Sequence, residues 1–205
     1  TYLDLEGSIR NDSDLITKYR DMSLHAEVDS AVEEVINEAI TKEEEVIVKL
    51  QLEGTDLSDS LKKKIQTAFD EVLKLLKFKD QGYDIFRRWY IDGRLFYQIL
   101  IDPANPTNGI SDLRYIDPRK MKKIRQVVRK QSRGSEVGGM SADLMKTTNE
   151  YFVYNEKGFN SKGSVSQNAT SGTRIANDAI VYVTSGLTDT SGTTVLSYLH
   201  PAPNT

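Results

Sequence analysis

Apolar positions along residues 27–45, EVDSAVEEVINEAITKEEE, recur as Val28, Val32, Val35, Ile36, Ala39 and Ile40. That spacing predicts a helix with one apolar stripe and its acids on the opposite side. The pattern then changes period. In EVIVKLQL, Val46, Val48, Leu50 and Leu52 point one way and Lys49 and Gln51 the other, which predicts a half-buried strand. GTDLSDS supplies turn residues, with Ser58 placed to cap a helix. A second amphipathic helix follows in SLKKKIQTAFDEVLKLLKF, through Leu61, Ile65, Ala68, Phe69, Val72, Leu75 and Leu76. Gly82 in KDQG is expected to break it.

The segment DIFRRWYIDGRLFYQILIDP, residues 84–103, combines both periods. A third helix over 83–91 puts Ile85, Phe86, Trp89 and Tyr90 on one face and turns Arg87 and Arg88 away. Asp92-Gly93 ends it. RLFYQILI reads as a strand whose Leu95, Tyr97, Ile99 and Ile101 share one apolar face, closed by Pro103 and Pro106.

Residues 110–133 predict a strand to Ile116, a turn at Asp117-Pro118 and a second strand near 123–131. Helix remains open for that last stretch, because Met121, Ile124, Val127 and Val128 also fit a 3.6 period. GSEVGGMSAD and KGFNSKGSVSQNATSGT are loops by composition, with NEYFVYN a strand between them and DAIVYV a strand after. VLSYLH is expected to open another helix. Helices come first and strands later, with no βαβ repeat. The fold class is therefore α+β, amphipathic helices packed on a mainly antiparallel sheet. Residues 1–18 read as an N-terminal extension, 19–195 as the α+β domain, and 196–205 as the start of a truncated helix. Both ends look like cuts in a longer protein.

Composition narrows the chemistry. The chain has 205 residues, 38% hydrophobic and 28% charged, which suits a folded domain with a substantial core. It has no cysteine, so thiol catalysis, disulfides and cysteine-ligated metals are excluded. No GxGxxG occurs, and GLTDTSGT carries Thr193 where a phosphate-binding loop needs lysine. The two histidines, His25 and His200, sit in no metal or triad motif. No cofactor, no catalytic residue and no small-molecule substrate are expected.

Charge is the strongest local signal. Net charge is only −3, yet Arg114 to Arg133 carries about +8 and Glu27 to Glu45 about −7. Arg114, Arg119, Lys120, Lys122, Lys123, Arg125, Arg129 and Lys130 are the candidates for touching nucleic acid or an acidic surface. Arg87, Arg88, Trp89, Glu33, Glu34 and Glu38 are the candidates for a subunit interface, since Trp and Arg are enriched at such contacts. The competing reading of both runs is a solvated face.

Five blocks in order, EVDSAVEEVINEAI, FRRWYIDGRLFYQILIDP, LRYIDPRKM, EYFVYN and AIVYVTSGLTDTSG…VLSYLHPA, resemble the N-terminal half of the portal vertex protein of T-even-type contractile-tailed bacteriophages. The resemblance runs from about Tyr19 to the chain end. It implies a wing domain of a structural, non-enzymatic subunit, a homo-oligomer that forms a dodecameric ring at one vertex of the virion head. It further implies that this ring meets the major capsid protein and scaffold, passes double-stranded DNA, and receives terminase and neck proteins through other parts of the chain. It implies, too, that assembly takes place in the host cytoplasm. The alternative is a nucleic-acid-binding module that uses the basic 114–133 segment.

Overall fold

The computed structural model describes residues 6–40, 48–129, 146–159, 172–190, 192 and 194–200. Four helices precede the first strand: α1 Glu6–Met22, α2 Ala26–Ala39, α3 Asp59–Leu75 and α4 Phe78–Asp92. Six strands follow: β1 Arg94–Ile101, β2 Ile110–Ile116, β3 Met121–Arg129, β4 Lys146–Tyr154, β5 Thr173–Ala176 and β6 Ile180–Thr184. They make two antiparallel three-stranded sheets, ordered β2-β1-β6 and β3-β4-β5. The α+β class holds, with two small sheets in place of one. The open choice resolves as strand over residues 123–129, because β3 pairs along its whole length with β4; 130 and 131 lie outside the described residues.

β1 is the pivot of the molecule. It is the middle strand of its sheet, and its first four residues are buried, so both of its faces are covered. On one face Leu95 and Tyr97 join Ile85 of α4, with Trp89, Leu76 and Leu113 packed around them. On the other, Phe96 stacks on Tyr182 of β6 at 4.6 Å and meets Phe152 of β4 edge-on at 5.9 Å, which closes a core between the sheets. A third cluster sits among the helices, where Tyr19 of α1, Val32 and Ile36 of α2 and Ile91 of α4 are buried.

Several sequence expectations need correcting. Gly82 does not break a helix; it is buried inside α4, where an added Cβ would sit 3.0 Å from the Phe78 ring. The break falls at Lys77, which takes a left-handed φ of 50° between α3 and α4. Residues 48–52 form no strand, although Val48, Leu50 and Leu52 are half-buried and Lys49 and Gln51 exposed as the alternation requires. A period of two fixes which side faces in, but a ladder also needs a neighbouring strand. No element was assigned to 1–18, and α1 occupies it from Glu6, burying Ile16. Residues 196–200 are irregular, with a turn at 198–199, where the opening of a helix was expected. β5 was not expected: its Thr173 falls in the second loop and residues 174–176 were assigned to no element. Both Gly/Ser-rich loops lie largely or wholly outside the described residues.

Two expected boundaries hold in detail. Ser58 accepts a hydrogen bond from the Leu61 N–H, which caps α3. Gly93 closes α4 with φ 71°, and a Cβ there would lie 2.5 Å from the Leu196 carbonyl oxygen. Only glycine satisfies both the left-handed backbone and that close approach.

Candidate functional site

The turn from α4 into β1 places Asp92 under α1. Its carboxylate, 2% exposed, receives Nε and Nη2 of Arg20 at 2.8 and 2.7 Å. Arg20 also donates to Asp117 at 3.0 Å, and Arg119 donates back to Asp117 at 2.8 Å. The result is a chain of alternating charges joining α1, α4 and the turn between β2 and β3. Burial pushes the Asp92 carboxyl up against the pull of Arg20. Burial acts on Asp117 in the same sense, but hydrogen bonds from the Arg119 side chain and backbone and from Arg20 outweigh it and hold that carboxyl well below the usual range. Asp92, first among its causes, raises the Arg20 guanidinium further, so that group stays charged.

This network borders an open cavity of about 420 Å³ that also takes in Asp84, Arg87, Arg88 and Tyr115. Arg87 reaches Asp29 of α2 at 2.5 Å, and its Nη1 is buried without a partner among the described residues. Arg88 lies over the Tyr115 ring at 4.8 Å. Burial raises the Tyr115 hydroxyl, so it stays protonated at neutral pH. Trp89 faces the other way. Its indole packs 5.2 Å from Tyr198, and its Nε1–H is buried with no acceptor among the described residues. Tyr198 also stacks on Tyr90 at 4.9 Å. Glu33, Glu34 and Glu38 stand exposed on α2.

The basic strip is partly consumed from within. Lys123 and Arg125 on β3 both grip Glu150 on β4, at 2.9 and 2.6 Å, because Arg125 and Glu150 are directly opposed in the ladder. The Lys123 side chain, then Arg125, holds Glu150 below the usual carboxylate range. Lys122 covers the Phe159 ring at 4.0 Å. Arg119 is held by Asp117. Arg114 on β2 and Lys120 in the following turn have no ion pair among the described residues. Arg129 ends β3, and Lys130 lies outside the described residues. A second cavity, about 400 Å³, is lined by Lys122, Phe159, Arg94 and Asp12 among others. There Arg94, 5% exposed, donates to Asp12 at 2.8 Å and to the Val195 carbonyl, tying α1 and the chain after β6 to β1. Burial raises Asp12 against the pull of Arg94.

Sequence reasoning missed Arg20, Asp92, Asp117 and Arg94 as a group. Their partners lie 72 to 97 positions apart, so no local pattern marks them. These contacts brace the fold, joining α1, α4, β1 and the turn after β2. His200 Nδ1 lies 2.7 Å from the Tyr19 hydroxyl, whereas His25 precedes α2. Among the described residues no three His, Cys, Asp or Glu side chains converge as metal ligands, and no helix is long and apolar enough to cross a membrane.

A family model for the bacteriophage T4-like portal protein (Gp20) matches residues 12–205. The chain belongs to that family. It is 36% identical over 177 residues to the portal protein of Vibrio phage KVP40, which covers 85% of this chain and 33% of that protein. It is 29% identical over 208 residues to the portal protein of Salmonella phage ViI, covering 98% of this chain and 36% of that one. The chain thus spans about a third of the length of these relatives. The family match begins within α1, so it takes in every core cluster described above.

Proposed function

We propose that this chain is the wing of a portal subunit, a structural part of the ring at the unique head vertex that supports head assembly, DNA packaging and DNA exit. The observation that carries this is the family match over residues 12–205, nearly the whole chain. The geometry supports it. Buried ion pairs lock α1, α4 and β1 into one body, and a scaffold that must bear load in a ring needs that rigidity more than a reactive pocket. On this reading the subunit is no enzyme. Its partners are copies of itself, the capsid protein and scaffold, and DNA in the channel, with terminase and neck proteins engaging parts of the protein beyond this chain. Its place is the virion head, after assembly in the host cytoplasm.

The contribution of the basic segment shifts within this proposal. Glu150 already occupies Lys123 and Arg125, so Arg114 and Lys120 are better placed to meet DNA or an acidic neighbour. Electron microscopy of the full-length protein tests the reading: closed rings are expected, and a protein that stays monomeric at every concentration would contradict it. Reversing Arg114 and Lys120 to Glu should then lower packaged DNA while leaving ring formation intact.

A further inference from the structure

α3 is strongly amphipathic by sequence, yet none of its 17 residues is buried. One flank of its apolar stripe leans on the body: Ile65 and Phe69 are half-buried, and Leu76 just beyond the helix joins the cluster on β1. The other flank faces out, with Leu61 43% and Val72 39% exposed and Ala68 exposed between them. A soluble surface helix ordinarily turns its whole stripe inward.

A matching vacancy lies at the other edge of the same layer. Helices cover the face of the first sheet over β2 and β1, where α3 approaches β2 and α4 lies on β1. Among the described residues no helix packs on that face over β6 to the extent that α4 packs on β1. Val181 and Val183 oppose Tyr97 and Leu95 in register, so they point to the helix side, and they are 38% and 45% exposed. Tyr198 borders them, donating its hydroxyl hydrogen to the Ser185 carbonyl while stacked against Trp89. The Trp89 N–H, buried with no acceptor among the described residues, points to this corner as a place for a further contact, because such a donor is costly. Charge agrees with the fit. Lys62, Lys63 and Lys64 follow Leu61 at the start of α3, and α2, next to α4, carries five acids and no base.

We propose that the outer stripe of α3 in one copy docks over β6 of the next copy, filling the place of the missing helix beside α4. This rests on the ring reading and names the surfaces through which the wing takes part in it. Two unlike faces at opposite edges give a head-to-tail contact, which closes into a ring when the rotation between copies allows it. The small Ala68 at the middle of the stripe permits close approach to the sheet.

Thiol pairing in the full-length protein tests the contact. Val72→Cys and Val183→Cys are made singly and coexpressed, and the assemblies are treated with a short bismaleimide. The proposal expects a cross-linked dimer from the mixed assembly, at least tenfold above either single variant, with both variants melting like the parent. Rings that form normally but yield no Val72–Val183 cross-link would overturn this contact and leave the ring reading standing. Predominant cross-linking of Val72→Cys alone would also overturn it, since that requires like faces to meet. A parent protein that forms no rings would overturn the ring reading and the contact together.

Discussion

α3 and α4 are neighbouring helices of similar length and similarly clear amphipathic pattern, and they meet opposite fates. α4 buries Gly82, Ile85, Ile91 and Asp92 between the helical cluster and β1, whereas α3 buries nothing. The difference shows what an apolar stripe specifies. It fixes which side of a helix must leave water, and the rest of the assembly decides what covers it. α4 is covered by its own chain; among the described residues α3 is covered on one flank only.

The comparison predicts an unequal response to mutation. Asp92→Ala should cost about 3 kcal/mol in thermal or denaturant unfolding, since it removes a buried carboxylate and both charge-assisted hydrogen bonds that the partly exposed Arg20 makes to it. Ile36→Ala, at a fully buried position against α4, should cost about 2–5 kcal/mol. A loss below about 1 kcal/mol in both would mean the helical cluster is not the body we describe. Gly93→Ala should follow, at about 2 kcal/mol, from left-handed strain and the clash with Leu196.

Acid should act through the turn beside α4. Asp117 has a carboxyl held low in the folded state, so its contribution is present above the unfolded carboxylate range and lost as pH falls through the folded one. Melting temperature should therefore decline from about pH 5 downward, and Asp117→Asn should flatten that decline. An unchanged acid limb in the variant would remove Asp117 from the account. The smallest effect is expected at α3. Leu61→Ala and Val72→Ala should shift stability of this chain by no more than about 0.5 kcal/mol, and a larger loss would show that the stripe is covered within one copy.

What the sequence made legible follows the same division between local pattern and distant partner. β1 was read to the residue because a period of two runs between Gly93 and Pro103, and both boundaries act locally. α1 escaped notice because EGSIRNDSDLITKYRDM is polar, with Ile16 and Tyr19 too few to draw a stripe. Gly82 misled because its lack of a side chain serves the Phe78 ring, a tertiary fact that looks like a helix breaker in one dimension. Among the candidate site residues, Arg87, Arg88 and Trp89 were placed on the correct faces of their helix. That Arg87 would meet Asp29, and Lys123 and Arg125 meet Glu150, depended on pairings no local window contains.

Sedimentation of the full-length protein carrying Val72→Asp puts the unpaired face of α3 to its most direct trial. A charge on that face should abolish rings or cut their yield at least tenfold while this chain, with the same substitution, still melts within a degree or two of its parent. Rings at the parental yield would contradict the role assigned to α3.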